Sequence, residues 1–373
     1  MMDNRVVIAS CPDYSAAKGA VREAVAELGG MKRFVNSGDR VLIKPNLLAA
    51  HVPEDAVTTH PEVVAAVCDL VIEAGGIPMV GDCAGITHPG ATAKAFEVSG
   101  IGESTLNTGG DVVNFQQNGF RKVEVPGAKH FPELYISKDV LDADVVINLP
   151  KLKTHELTLM TGAVKNMFGT VPLKIRKESH LLADPDVFSE AVLEIFSAAT
   201  PQLSIMDAVL CMEGHGPSRG SPVHVGAIIA SANSFALDIV AAQVMGFDKM
   251  DIPTNRVAAR KGLDTDLEIT GIPIEDVTVS FKRPPRGVLR LLPPWITSIV
   301  GRAYKVNPEI NTFRCQLCGA CVSNCPADAI KKEGSSLKID DKQCILCYCC
   351  RELCPYEAVD IKKSLLAKIL SRD

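Results

Sequence analysis

Nine of the thirteen cysteines fall between residues 315 and 354, and their spacing is the most chemically specific feature of the chain. Residues 315–326 read CQLCGACVSNCP and residues 344–355 read CILCYCCRELCP, both C-x2-C-x2-C-x3-C-P. Three thiolates in one tight loop suit three corners of an Fe4S4 cube, and a fourth follows at the start of a helix. Zinc takes four ligands in two pairs, which would leave the third cysteine of each run redundant. The pattern predicts two [4Fe–4S] clusters.

The second run begins 29 residues after the first, and the flanks CPADAI and CPYEAV also match. This is an internal duplication of the bacterial ferredoxin type, in which the fourth cysteine of each run ligates the other cluster. One cluster is expected on Cys315, Cys318, Cys321 and Cys354. The other is expected on Cys344, Cys347, Cys350 and Cys325. Pro326 and Pro355 follow the crossing cysteines, where proline opens a helix without losing a needed donor. Cys349 is left over as a spare thiol beside Cys350. Cys11, Cys68, Cys83 and Cys211 are scattered and read as buried structural thiols.

A second group of residues suggests a site for negative charge. In NLPKLKTHELTLMTGAVKNMFG, residues 148–169, an apolar strand runs into Lys151, Lys153 and His155 on alternate positions. Extended backbone would point these three to one side. Lys165 follows, and VLIKPN delivers Lys44 at another strand end. Clustered ammonium groups repel, and burial adds to the cost, so something negative must join them. Asp82, Asp207 and Glu213 are candidate structural partners; an anionic ligand is the other candidate. The stretch TLMTGAVKN is expected to open a helix capped by Thr161, whose N-terminus would attract an anion. Lys165 in its first turn would be opposed by the helix dipole. On its own PKLKTH reads as a solvated loop. Together, Lys44, Lys151, Lys153 and Lys165 read as a small-anion site, with His155 and His180 as candidate acids or bases because imidazole titrates near neutrality. Asp238, inside the apolar FALDIVAAQV, is expected to orient a neighbour or cap a loop. No phosphate-binding G-x-x-x-x-G-K-[ST] and no strand-following G-x-G-x-x-G is present, so no further cofactor is named.

These groups need a framework. Residues 1–281 alternate apolar runs (RVVIAS, RVLIKPN, IPMVGD, DVVINLP, LSIMDAV, VGAIIAS) with Ala-rich helical stretches that end in glycine. The fold class is α/β, a mostly parallel sheet covered by helices, plus a small C-terminal α+β ferredoxin-like dicluster module at 313–362. A basic, proline-rich linker is assigned to 282–312 and a basic amphipathic tail to 363–373. Such segments, the first carrying Trp295, suit packing between domains or peripheral contact with a membrane surface.

The 373 residues allow two domains, and 47% apolar content supports a sizeable core. A net charge of −5 argues against nucleic-acid binding. The N-terminus lacks the pattern of a signal peptide, and no apolar run is long enough to span a membrane. The expected setting is cytoplasmic and, given the clusters, anaerobic.

The segments IKPNLL, TTHPEVVAAVCDLVIEAGG, NLPKLKTHELTLMTGAVKNMFG and DAVLCMEGHGPSRG, in that order, resemble the family catalogued as domain of unknown function 362, over residues 40–262. The C-terminal module resembles two-cluster bacterial ferredoxins, a pairing common in that family. The resemblance implies a cluster-bearing protein and assigns neither a reaction nor a catalytic residue. The leading expectation is an iron–sulfur oxidoreductase. It would exchange electrons with a donor or acceptor protein and pass them to an anionic small molecule or extra cofactor at the lysine-rich sheet edge. One alternative is an electron-transfer or docking protein without turnover. Another is a non-redox enzyme whose clusters are regulatory or structural.

Overall fold

The computed structural model describes residues 4–85, 89–263, 266–284 and 306–364. The apolar runs form a large sheet: β1 (Arg5–Ser10), β2 (Arg40–Pro45), β3 (Ile77–Asp82) and β4 (Asp111–Asn114) come first. A separate hairpin of β5 (Phe120–Glu124) and β6 (Glu133–Ser137) follows. The large sheet resumes with β7 (Val145–Leu149), β8 (Lys151–His155), β9 (Leu159–Thr161), β10 (Leu203–Glu213), β11 (Ser221–Ser231) and β12 (Glu268–Gly271). Its order is β12-β1-β11-β10-β7-β2-β3-β4, with β8 and β9 branching from β10. Neighbours from β10 to β4 are parallel, while β11 is antiparallel to both β1 and β10. The class is α/β and mostly parallel, as expected.

The strands are apolar end to end because both faces are covered. Val41 and Ile43 enter one core with the helices Ala17–Glu27 and Pro61–Ala74. Leu42, between them, enters another with Phe188 and Val192 of the helix Pro185–Ala198. The Pro61 helix shows how local chemistry sets its ends. Proline opens it, His60 Nδ1 accepts the Glu62 N–H, and Gly75 at φ 94° stops it.

The register determines what the sheet edge presents. Lys44 on β2 lies opposite Asn148 on β7. The chain leaves β7 through Pro150 and continues as β8 beside β10, with Lys151 opposite Asp207 and Lys153 opposite Met212. The expected helix over TLMTGAVKN begins later than Thr161. Leu159–Thr161 is strand β9, and the helix is the single turn Ala163–Asn166.

In the C-terminal module, β13 (Val306–Ile310) pairs antiparallel with β16 (Val359–Lys363), and β14 (Ile330–Glu333) with β15 (Ser336–Ile339). The duplication is visible in the backbone. Leu317 and Leu346, Gly319 and Tyr348, and Asp328 and Glu357 form three pairs at one spacing, all with positive φ. Strand β13 starts within the stretch assigned to the linker, and β16 ends at Lys363, so a strand pair closes the module at 306–363. Trp295 and most of the linker, and the tail beyond 364, lie outside the described residues.

The module is seated on the first domain. Arg219 donates to Val359 O at 3.0 Å and Cys354 O at 3.2 Å, Ser218 Oγ to Glu352 O at 3.2 Å, and Lys177 Nζ to Ser323 O at 2.9 Å. Leu353 packs with Leu48. The glycine-rich turn EGHGPSRG therefore serves as a clamp for the module.

Candidate functional site

The fold gathers the cysteines in two quartets. Cys315, Cys318, Cys321 and Cys354 line one small cavity. Cys344 lies within electrostatic reach of Cys347 and Cys325, and Cys350 feels Cys347, Cys344 and Cys325 together with the neighbouring Cys321. Each quartet takes three thiols from one run and one from the other. The crossing thiols accept matching hydrogen bonds, Ala329 N–H to Cys325 Sγ and Ala358 N–H to Cys354 Sγ, both 3.3 Å. Burial and repulsion among the four push the Cys321 thiol up to about 11. A bound cation overturns that penalty and deprotonates a coordinating thiol. The donor set therefore fits an iron–sulfur cluster at each quartet. Cys349, which the spacing leaves over, is buried, hydrogen-bonded to Cys347, and faces the first domain.

The four lysines are brought to one edge but divide into two kinds. Lys44 Nζ is 2.8 Å from Asp82 Oδ2, and Asp82 also accepts the N–H groups of Leu47 and Cys83. Lys151 Nζ is 2.7 Å from Asp207 Oδ2 and 2.8 Å from Tyr14 Oη. Both pairs are buried, so these ammonium groups are held by carboxylates rather than offered to a ligand. Lys153 is buried and donates to the Val57 carbonyl at 2.6 Å, its one acceptor among the described residues. Burial, then Lys165, pulls its pKa well below the ordinary lysine value. The Lys165 ammonium sits 5.5 Å and 6.0 Å from the ring centres of Phe168 and Phe188, with no carboxylate of the described residues at ion-pair distance.

The place expected for an anion at the helix N-terminus is already filled. Asp238 accepts the N–H groups of Ala163 at 2.5 Å and Val164 at 3.1 Å. Gly162 is required there, since a Cβ would stand 2.2 Å from Asp238 Oδ1. The buried aspartate caps a turn, one of the two roles expected for it. Thr161, expected as the cap, instead donates to the carbonyls of Lys151 and Lys153. A buried amide chain fixes the turn to the strands: Asn46 donates to Asn166, and Asn166 to Asn148.

The two histidines also differ. His155 Nδ1 accepts the N–H groups of Leu157 and Thr158, which puts its proton on Nε2, 3.3 Å from Glu352 Oε1 of the module. Burial, then Lys165, holds its pKa well below the usual 6.5. Nδ1 has no room for a proton, so this ring is a donor at Nε2. His180 Nδ1 lies 2.6 Å from the Arg176 carbonyl, leaving Nε2 with its lone pair. Lys165, Arg176 and His180 from the first domain meet Cys349, Glu352 and Leu353 from the module around a cavity of about 90 Å³.

His180 makes a prediction about pH. Burial lowers its pKa from 6.5 to about 4. Below pH 6.5 the unfolded chain takes up a proton that the folded chain refuses, so stability falls as pH drops from 6.5 toward 4. Urea midpoints measured anaerobically across that range should decline, and His180→Leu should reduce the slope by about one proton. An unchanged slope in the variant would contradict the buried neutral ring.

Cys349, Arg351 and Glu352 carry the seam, yet the cysteine spacing gives them no role. Comparing the two runs exposes them. At the equivalent places the first run has Ala320, Val322 and Ser323. The second run departs from the first at the residues that face the other domain. Arg351 reaches Glu156 at 3.5 Å, and Glu156 also meets His215 at 3.1 Å.

An α/β domain with a paired-quartet module clamped over its carboxyl edge is an iron–sulfur electron-transfer protein with two [4Fe–4S] clusters. The model of a 4Fe-4S dicluster domain matches residues 309–358, and that of Domain of unknown function (DUF362) matches residues 41–243. The chain belongs to the DUF362 family. It is 40% identical over 277 residues to the thylakoid-associated protein sll1697 of Synechocystis sp., covering 71% of this chain and 82% of that one. A lactate racemase apoprotein from Thermoanaerobacterium thermosaccharolyticum is similar at 12% identity and a TM-score of 0.42, over 65% of this chain and 57% of that one. Among the described residues, no helix is long and apolar enough to cross a membrane.

Proposed function

We propose that the chain is an iron–sulfur oxidoreductase in which the dicluster module passes electrons to an anionic molecule held at the seam by Lys165, backed by Lys153. One observation carries this reading. Cys349, adjacent to the cluster ligand Cys350 and hydrogen-bonded to the ligand Cys347, lines the same cavity as Lys165 and His180. His180 and the Nε2 proton of His155 are the groups available to handle protons there. The first quartet opens at a different place: exposed Cys318 and Tyr356 line a wider cleft with Ala50, Ala91 and Lys94 of the first domain, and exposed Phe313 and Leu317 lie in the same module. Apolar surface of this kind suits a protein partner, so electrons would come in from a carrier protein at that face and leave at the seam.

The test is reoxidation of the reduced clusters, followed by absorbance. A panel of small oxyanions is added to anaerobic protein reduced with a low-potential donor. At least one should accelerate reoxidation, and Lys165→Met should abolish the acceleration while both clusters stay intact. Acceleration that survives in the variant would remove the seam from the path. The name of the Synechocystis relative also favours work at a membrane surface, which the basic stretch 282–305 would approach through its charge. Flotation of the full chain with anionic vesicles tests that, and binding should weaken with salt.

A further inference from the structure

We infer that the ligand of the seam cavity is a small oxyanion, a short-chain carboxylate or an inorganic anion of similar size, and not a nucleotide, flavin or other extended cofactor. The inference rests on the proposed role of the seam and narrows what can occupy it.

Size is the first argument. The cavity measures about 90 Å³. Sites for drug-sized ligands run to roughly 300 Å³ and more, whereas one water needs only about 10–15 Å³. A space of that size suits a handful of heavy atoms and is small for a ring system with a phosphate tail. Nor is it the void of a cluster: of the nine clustered cysteines only Cys349 lines it, and the quartets lie elsewhere.

Charge is the second argument. Lys165 and Arg176 line the cavity, and Lys153 stands close enough to Lys165 for their repulsion to be felt. Arg176 is spent on the Cys83 thiol and carbonyl and on the carbonyls of Gly169 and Val171. Four of its five N–H donors are thus engaged, and its main contribution to the cavity is field. Lys165, by contrast, stands over the Phe168 and Phe188 rings with no carboxylate of the described residues at ion-pair distance. Against these stands the buried Glu352, whose Oε1 lies 3.3 Å from His155 Nε2. Lys177, also in the wall, donates to Ser323 O. Positive groups outnumber the single carboxylate, so an entering anion is attracted to the cavity.

The third argument is the remaining wall. Leu48, Phe168, Leu173 and Leu353 are apolar. A carboxylate with one or two carbons, or a compact inorganic oxyanion, fits such a wall and puts its oxygens on the Lys165 ammonium.

The experiment measures binding to the oxidised, cluster-loaded full chain by calorimetry, with no electron donor present. The probes are acetate, bicarbonate, sulfate and phosphate, with ADP and flavin mononucleotide as oversized controls. At least one small anion should bind saturably and the oversized probes should not. Acetate and bicarbonate against sulfate and phosphate separate the carboxylate from the inorganic source. Lys165→Met should weaken binding at least tenfold, Lys165→Arg should retain more of it, and Lys18→Met, a surface change, should leave it alone. Binding of an oversized probe alone would overturn the size class and leave electron delivery at the seam standing. Equal binding by Lys165→Met, or no binding by any small anion, would overturn the site. Small-anion binding without any effect on cluster reoxidation would uphold this inference and refute the redox role.

Discussion

Cys325→Ser is expected to strip the cluster of the second run and leave that of the first, so that anaerobically purified protein falls from about eight iron atoms per chain to about four. Sequence proximity alone would give the opposite result, since Cys325 is four residues from Cys321 and 19 before Cys344. Geometry decides otherwise: Cys344 of the second run feels Cys325 beside Cys347, while Cys321 lines one cavity with Cys315, Cys318 and Cys354. Cys354→Ser should do the reverse and remove the first cluster. Cys349→Ser should leave the iron count unchanged, because its thiol is in neither quartet. Electron paramagnetic resonance of the reduced variants identifies the survivor, since coupling between two reduced clusters is lost when one is absent. Loss of the first cluster from Cys325→Ser would mean that each run serves its own cluster.

How much of this was legible follows from how local each constraint is. Cluster binding is written in spacings of two and three residues, and the duplication repeats it, so a two-cluster module could be read directly. The strand runs were legible for the same reason, because burial of both faces leaves an unbroken apolar string. The antiparallel run of β11 was not, since a buried strand reads alike in either direction. Lysine pairing was less legible. That Lys151 meets Asp207 depends on the register of β8 against β10, and that Lys44 meets Asp82 on β2 against β3. Four lysines at one edge looked like one site; two are counter-charged by their own sheet. The misplaced helix start has a similar origin. Thr161 looked like a cap, but the capping carboxylate, Asp238, arrives from a helix 75 residues on. Its oddity inside an apolar helix was the available signal.

The division of the lysines has a consequence for stability that separates it from ligand binding. Lys151→Met and Asp207→Asn are each expected to destabilise the protein by ~3–5 kcal/mol, the usual loss when one partner of a buried pair is removed and the other is left uncompensated. Asp207 is satisfied on every side, by Lys151, by the Tyr14 hydroxyl at 3.1 Å, and by the N–H groups of His60 at 2.9 Å and Val209 at 3.2 Å. Tyr14 in turn stacks on His60, with ring centres 3.4 Å apart. The network joins β8 and β10 to the N-terminal segment and to the start of the Pro61 helix. Its loss should lower the urea midpoint of the first domain, read by circular dichroism, before cluster chemistry is affected. Replacing both partners with apolar residues, Lys151→Met with Asp207→Leu, should recover part of the loss, because no charge is then left buried alone. Lys165→Met should behave in the opposite way. Its ammonium has no counter-ion at contact distance among the described residues, so removing it should be close to neutral or stabilising for the fold while it costs anion binding. If Lys151→Met left stability intact and weakened anion binding as strongly as Lys165→Met, the carboxylates would not be the partners that matter, and all four lysines would belong to the ligand.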